Sequence, residues 1–167
     1  KVSDFGLACQ LETFDERRMS VCGTPTYMSP EVVKNDMGHS FEVDTWAFGV
    51  CLYHLLMGKT PFEVPGKTDY KEVHSRIKAG LYELPEDSSI TDNAKDLITK
   101  CLFTNPAKRP VLEEIVIHPF FTMNKIPRNL PKTFLDAPPS TEFMRGYIKG
   151  WLPIEERKGS AFTMGLP

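Results

Sequence analysis

Residues 41–57 constrain the chain most. Phe41, Val43, Trp46, Phe48, Val50, Leu52, Tyr53, Leu55 and Leu56 together cover nearly every face of a helix. A helix that is apolar all round belongs in the middle of a core, with other elements packed around it. Ser40 offers an N-cap and Gly58 a C′ residue, which bounds the helix at Phe41–Met57. Gly49 and His54 interrupt the run, and it is too short to cross a bilayer. The chain has 167 residues, 41% hydrophobic and 25% charged, enough for one domain with a real core. That balance excludes a disordered, collagen-like or membrane chain. A net charge of −2 argues against a basic nucleic-acid-binding face. The expected partners therefore include no nucleic acid and no membrane. Cys9, Cys22, Cys51 and Cys101 form no CxxC pair, so reduced thiols are expected.

Three further helices are expected. One spans 69–79, between Thr68 and Gly80. One spans Asp92–Phe103, capped by Thr91, with Ala94, Leu97, Ile98, Cys101 and Leu102 on one face. A short one spans Leu112–Ile117 and stops before Pro119. Between Phe5 and Pro30 no period persists, and a loop of that length inside a compact domain is usually functional. Residues 119–167 carry seven of the fourteen prolines, so an extended tail is expected there. The boundary is placed near Phe121, which gives two regions, 1–121 and 122–167. The chain starts at Lys1 without a signal-peptide pattern and reads as a piece of something longer.

Asp4-Phe5-Gly6 alone is a weak signal. Its company makes it specific: Cys22-Gly23-Thr24-Pro25, Ser29-Pro30-Glu31, Asp44-x-Trp46-x-x-Gly49, Pro61-Phe62 and Asn105-Pro106-x-x-Arg109-Pro110 follow in order. This set resembles the C-terminal lobe of a eukaryotic protein kinase, entered just before the DFG motif, with Ser29-Pro30-Glu31 standing for APE. The 27 positions from Asp4 to Glu31 suit an activation segment. Leu7-Ala8, Val21 to Pro25, Gly38 to Asp44 and Phe120-Phe121-Thr122 most resemble the polo-like serine/threonine kinases. Ile126-Pro127, Leu130-Pro131 and Pro138-Pro139 carry that likeness to about residue 139. The implied fold is mainly α, the larger kinase lobe truncated before DFG, with a proline-rich tail.

The resemblance implies roles. Asp4 would be a carboxylate ligand for the magnesium that accompanies ATP, a hard cation that prefers oxygen. Ser20, beside Arg17 and Arg18, would be the activating phosphosite of an upstream kinase. Thr24 would support catalysis by contacting the catalytic aspartate, which no residue of this chain supplies. Glu31 and Arg109 would form a buried bidentate ion pair that ties the activation segment to the helices. Asp44, a carboxylate on an apolar helix, is expected to be buried and to hydrogen-bond the backbone of the catalytic loop. Val111 stands where such kinases often place a Ser or Thr cap, at a cost of ~1 kcal/mol.

The implied activity is ATP-dependent phosphorylation of Ser or Thr in protein substrates during cell-cycle control. The implied location is nucleus and cytoplasm, at centrosome, spindle pole or kinetochore. The sequence holds no GxGxxG loop, VAIK-type lysine or HRD-type catalytic loop, so the chain alone is expected to be inactive. The alternatives are a non-catalytic pseudokinase-like binding module, or a kinase of aurora-like or NIMA-related type.

Overall fold

The computed structural model describes residues 3–13, 15–64, 70–86 and 89–123. All of them belong to one compact unit that runs to Asn124. The expected extended tail, apart from its first residues, lies outside the described residues, as do Thr68 and Asp69 at the start of the second helix.

Six helices order the described residues: α1 (Pro30–Lys34), α2 (Glu42–Met57), α3 (Tyr70–Ala79), α4 (Asp92–Cys101), α5 (Leu112–Val116) and α6 (Pro119–Thr122). Single 3₁₀ turns at Pro25–Tyr27 and Pro106–Lys108 punctuate the loops. Among the described residues there is no strand, only an antiparallel bridge between Arg18 and His39. The fold is the mainly helical one expected.

α4 follows from its local sequence. The Thr91 hydroxyl accepts from the Ala94 amide at 3.3 Å, and Ala94, Leu97, Ile98 and Cys101 repeat at helical spacing on the buried side. It ends at Cys101, short of the expected Phe103. α2 packs chiefly against α4. Gly49 is the reason they come so close: a Cβ there would lie 2.7 Å from the Cys101 Cβ and 3.0 Å from Leu102 Cδ2. Beside this crossing Trp46 stacks on Phe62 with ring centroids 5.3 Å apart, and Tyr82 meets Phe62 edge-on.

α2 departs from expectation in two ways. Ser40 is not its N-cap, since the helix begins at Glu42 with Phe41 in the cap position. The Glu42 carboxylate accepts the Ser40 amide at 3.2 Å, and the Ser40 hydroxyl has no hydrogen-bond partner. Nor is α2 buried all round. Thr45, Trp46, Gly49, Val50, Leu52 and Tyr53 face the core, whereas Asp44, Cys51, His54 and Leu55 are exposed. Asp44 is thus an exposed carboxylate, and solvation removes the cost that burial would have imposed.

Three short elements were not expected as helices. α1 and α6 each carry proline at the first helical position, where the missing N–H costs nothing, so residues that punctuate a longer pattern start these short ones. The 25–27 turn starts the same way. α6 runs through Phe121 and corrects the view that every residue from 119 onward is extended; His118 caps it, its Nδ1 accepting from the Phe120 amide. α5 ends at Val116 rather than Ile117. Val111 offers no side-chain acceptor, but Glu114 takes the Val111 amide at 3.0 Å, which is half of a capping box.

Candidate functional site

Glu31 and Arg109 are 78 positions apart and meet in the interior. Pro30 opens α1 and places Glu31 in its first turn. The Asn105 side chain caps the 106–108 turn, accepting from the Ala107 amide, and Arg109 emerges immediately after it. Arg109 Nη1 and Nη2 then donate to Glu31 Oε1 and Oε2 at 2.6 and 2.8 Å. The two side chains are 1% and 8% exposed. Nη1 also donates to the Glu42 carbonyl and Nε to the Phe103 carbonyl, each at 2.9 Å. The guanidinium lies 4.9 Å from the centre of the Trp46 ring. Burial alone would push the Glu31 carboxyl up, but the hydrogen bonds and charge of Arg109, with a backbone amide, more than offset it and hold the group below its ordinary value. The pair locks the end of the 3–29 loop to the N-terminus of α2 and to the segment after α4.

The loop ahead of that lock takes its shape from a few contacts. The 25–27 turn follows Thr24, whose hydroxyl caps nothing and is exposed. Tyr27 hydrogen-bonds His54 Nδ1 at 2.8 Å, which holds this turn against α2. The loop and the start of α2 enclose a cleft of about 400 Å³. Thr24 and Asp44 both line it, with Arg18, Ser20, His39 and Ser40. The two residues expected to face a catalytic loop therefore open on one cavity.

Asp4 lies apart from the ion pair and is exposed. Its backbone is left-handed, with φ of 62°, a conformation that aspartate tolerates better than most residues. Its Oδ1 accepts the Gly6 amide at 3.4 Å. Among the described residues no group of three or more His, Cys, Asp or Glu side chains could hold a metal ion. One carboxylate does not make a magnesium site, so these residues do not fit the ion by themselves and no chemical step is derived through it.

Ser20 is exposed in the loop, and its flanking arginines are already engaged. Arg17 pairs with Glu42; Arg18 pairs with Glu16 at 2.9 Å and donates to the Gln10 carbonyl at 3.1 Å. The side chain at Ser20 that sequence reasoning missed is His39, whose Nε2 donates to the Ser20 carbonyl at 2.8 Å. Its signal was the Gly38-His39 pair, legible as a family mark but not as a contact.

The protein kinase domain model matches residues 1–121. A probable serine/threonine-protein kinase of maize, CCRP1, is 48% identical over 148 residues, which cover 88% of this chain and 23% of that protein. The Xenopus laevis serine/threonine-protein kinase PLK1 is 44% identical over 83% of the chain and 22% of its own length. The cell cycle serine/threonine-protein kinase CDC5/MSD2 of Saccharomyces cerevisiae is 41% identical over 85% of the chain and 20% of its own length. The chain thus spans less than a quarter of the length of these curated relatives.

Proposed function

The chain belongs to the protein kinase domain family, near the polo-like kinases, and on that premise we propose that it is the activation segment and helical lobe of an ATP-dependent serine/threonine kinase. The observation that carries this reading is the buried Glu31–Arg109 pair, which fixes the end of the loop so that Thr24 and Asp44 share one cleft. In the whole enzyme the catalytic loop, with its aspartate, occupies that cleft. Thr24 presents a free hydroxyl to the aspartate, and Asp44 an exposed carboxylate to backbone amides. A neutral apolar pair at these positions would leave those donors without acceptors.

ATP would supply the phosphoryl group, and Asp4, which makes no magnesium site by itself, would be one carboxylate beside ligands supplied from outside this chain. The protein substrate lies along the 24–29 segment, which the Tyr27–His54 hydrogen bond and the Glu31 anchor keep in place. Phosphorylation of Ser20 by an upstream kinase activates the enzyme. Its work belongs to cell-cycle control, a reading that the name of the yeast relative supports, and its place is nucleus and cytoplasm, at centrosome, spindle pole or kinetochore. No described helix is long and apolar enough to cross a membrane.

The test is a kinase assay on the enzyme that carries this segment, with Asp4→Asn, Ser20→Ala and Ser20→Asp. Asp4→Asn should abolish turnover. Ser20→Ala should lower the activity of phosphorylated preparations, and Ser20→Asp should recover part of it. Unchanged turnover in Asp4→Asn would defeat the catalytic reading, and unchanged activity in Ser20→Ala the regulatory one.

A further inference from the structure

Downstream of Thr24, the Tyr27–His54 hydrogen bond and the Glu31 anchor hold the loop to the lobe. Upstream, the loop is caught a second time at residues 17–20, by the corner that precedes α2. The Arg18 and His39 backbones exchange both amide–carbonyl hydrogen bonds at 2.9 Å. Gly38 turns the corner with φ of 68°, and a Cβ there would lie 3.0 Å from Met19 Sδ and 3.1 Å from both Arg17 Cβ and the Arg18 carbonyl. Only glycine permits this approach. The His39 ring reaches past the bridge to the Ser20 carbonyl at 2.8 Å. A carbonyl only accepts, so Nε2 carries the proton and donates it. Arg17 pairs with Glu42, whose own carbonyl accepts Arg109 Nη1. The corner and the buried ion pair therefore close on the same first turn of α2.

We propose that His39 is a positioning residue for the protein substrate: through the Ser20 carbonyl it fixes the upstream end of the 21–28 stretch, as Tyr27 and Glu31 fix the downstream end. This rests on the reading that the substrate lies along 24–29. Thr24 is four residues past Ser20, so an anchor at Ser20 confines it within about 14 Å of that point. A segment held at both ends is ordered once, when the lobe folds, and not again at each encounter with a peptide. The contact is made to main chain. It needs no modification of the loop, and any residue at position 20 offers the same acceptor. Of the contacts the corner makes, the ring's lies nearest to Thr24. Without it, residues 21–23 are free, and the substrate must order them as it binds. That weakens the binding of the peptide rather than phosphoryl transfer to a peptide already bound. ATP is not reached by this effect, because the Asp4 carboxylate contacts Gly6 and makes none of these contacts.

The experiment measures casein phosphorylation by the enzyme that carries this segment, as wild type and with His39→Ala and His39→Gln. His39→Ala should raise the KM for casein about fivefold, the loss expected for one hydrogen bond, and leave kcat and the KM for ATP within about twofold of wild type. His39→Gln, whose side-chain amide donates as Nε2 does, should recover most of that loss. The same ratio should appear in a Ser20→Ala background, because alanine keeps the carbonyl. An unchanged casein KM in His39→Ala overturns the proposal. So does a loss shared equally by ATP, one that glutamine does not relieve, or one that vanishes with Ser20→Ala. A further measurement needs no variant. In the unsubstituted 167-residue chain the Arg18 and His39 amides should exchange at least about tenfold more slowly than in an unstructured peptide. Peptide-like rates at both would overturn the proposal as well. The two readings fail differently. A wild-type enzyme that phosphorylates casein but ignores His39→Ala refutes the positioning role alone, whereas one that transfers nothing refutes the kinase reading and the substrate role with it.

Discussion

Arg109 points every guanidinium nitrogen at an acceptor, and Glu31 returns both oxygens to it. Removing either partner leaves the other buried without compensation, which typically costs about 3–5 kcal/mol. Arg109→Ala and Glu31→Ala should each lower the denaturant midpoint accordingly, and the double variant should lose less than the sum. Losses below about 0.5 kcal/mol would mean the pair behaves like a surface one. Arg109→Lys should also be costly, because an ammonium cannot make the bidentate contact or lie flat over Trp46. The pH dependence has a definite sign. Glu31 is held below its ordinary value of 4.5, so its stabilisation is complete above that value. It drains away as pH falls through the lower folded-state value. Acid unfolding of Glu31→Gln should be correspondingly less steep. A second residue-scale expectation concerns thiols. Cys101 is buried, and burial pushes its pKa up to about 12 despite the nearby Arg109 charge. Iodoacetamide near pH 8 should label the exposed Cys9 and Cys22 in the folded chain and reach Cys101 only after denaturation.

At the scale of elements, the α2–α4 crossing gives the sharpest prediction. Gly49→Ala would normally favour a helix by ~1 kcal/mol. Here the added methyl meets the Cys101 Cβ at 2.7 Å, so overpacking of about 1–3 kcal/mol should prevail. A thermal melt showing stabilisation would mean the helices separate freely. Thr91→Ala should cost ~1 kcal/mol through the lost cap of α4. These elements also show what could be read in advance. α4 was legible because cap and periodicity agree. The ion pair was nameable only through family likeness, since nothing local joins Glu31 to Arg109. The start of α2 was misjudged because Ser40 has the right side chain, yet Glu42, two residues on, takes its amide instead. The surroundings of Asp44 were misjudged because apolar composition counts faces without saying what covers them. Leu55 on the same helix is 78% exposed, and single exposed apolar residues are ordinary. α1 and α6 were hidden because each is a single turn opened by a proline, too short for any period. His39 was illegible because its partner is a carbonyl 19 residues away, made reachable by a glycine backbone.

At the scale of the whole molecule, the described residues form a helical platform with a loop anchored at one end, on which Asp4 lies exposed. The chain contains no glycine-rich loop, strand lysine or catalytic aspartate motif. We therefore expect the 167-residue chain alone to bind Mg–ATP negligibly in calorimetry and to transfer no phosphate to casein. Micromolar affinity would show those elements to be dispensable. The central claim is that residues 1–121 are a working kinase lobe. The most direct measurement replaces the matching segment of the Xenopus laevis PLK1, 44% identical over 139 residues, with the corresponding residues of this chain and assays casein phosphorylation. The account predicts turnover within about tenfold of the parent, a loss of ~1.4 kcal/mol at most in transition-state stabilisation, and none when Asp4 is changed to Asn. A folded chimera with no turnover, or one indifferent to Asp4→Asn, would contradict it.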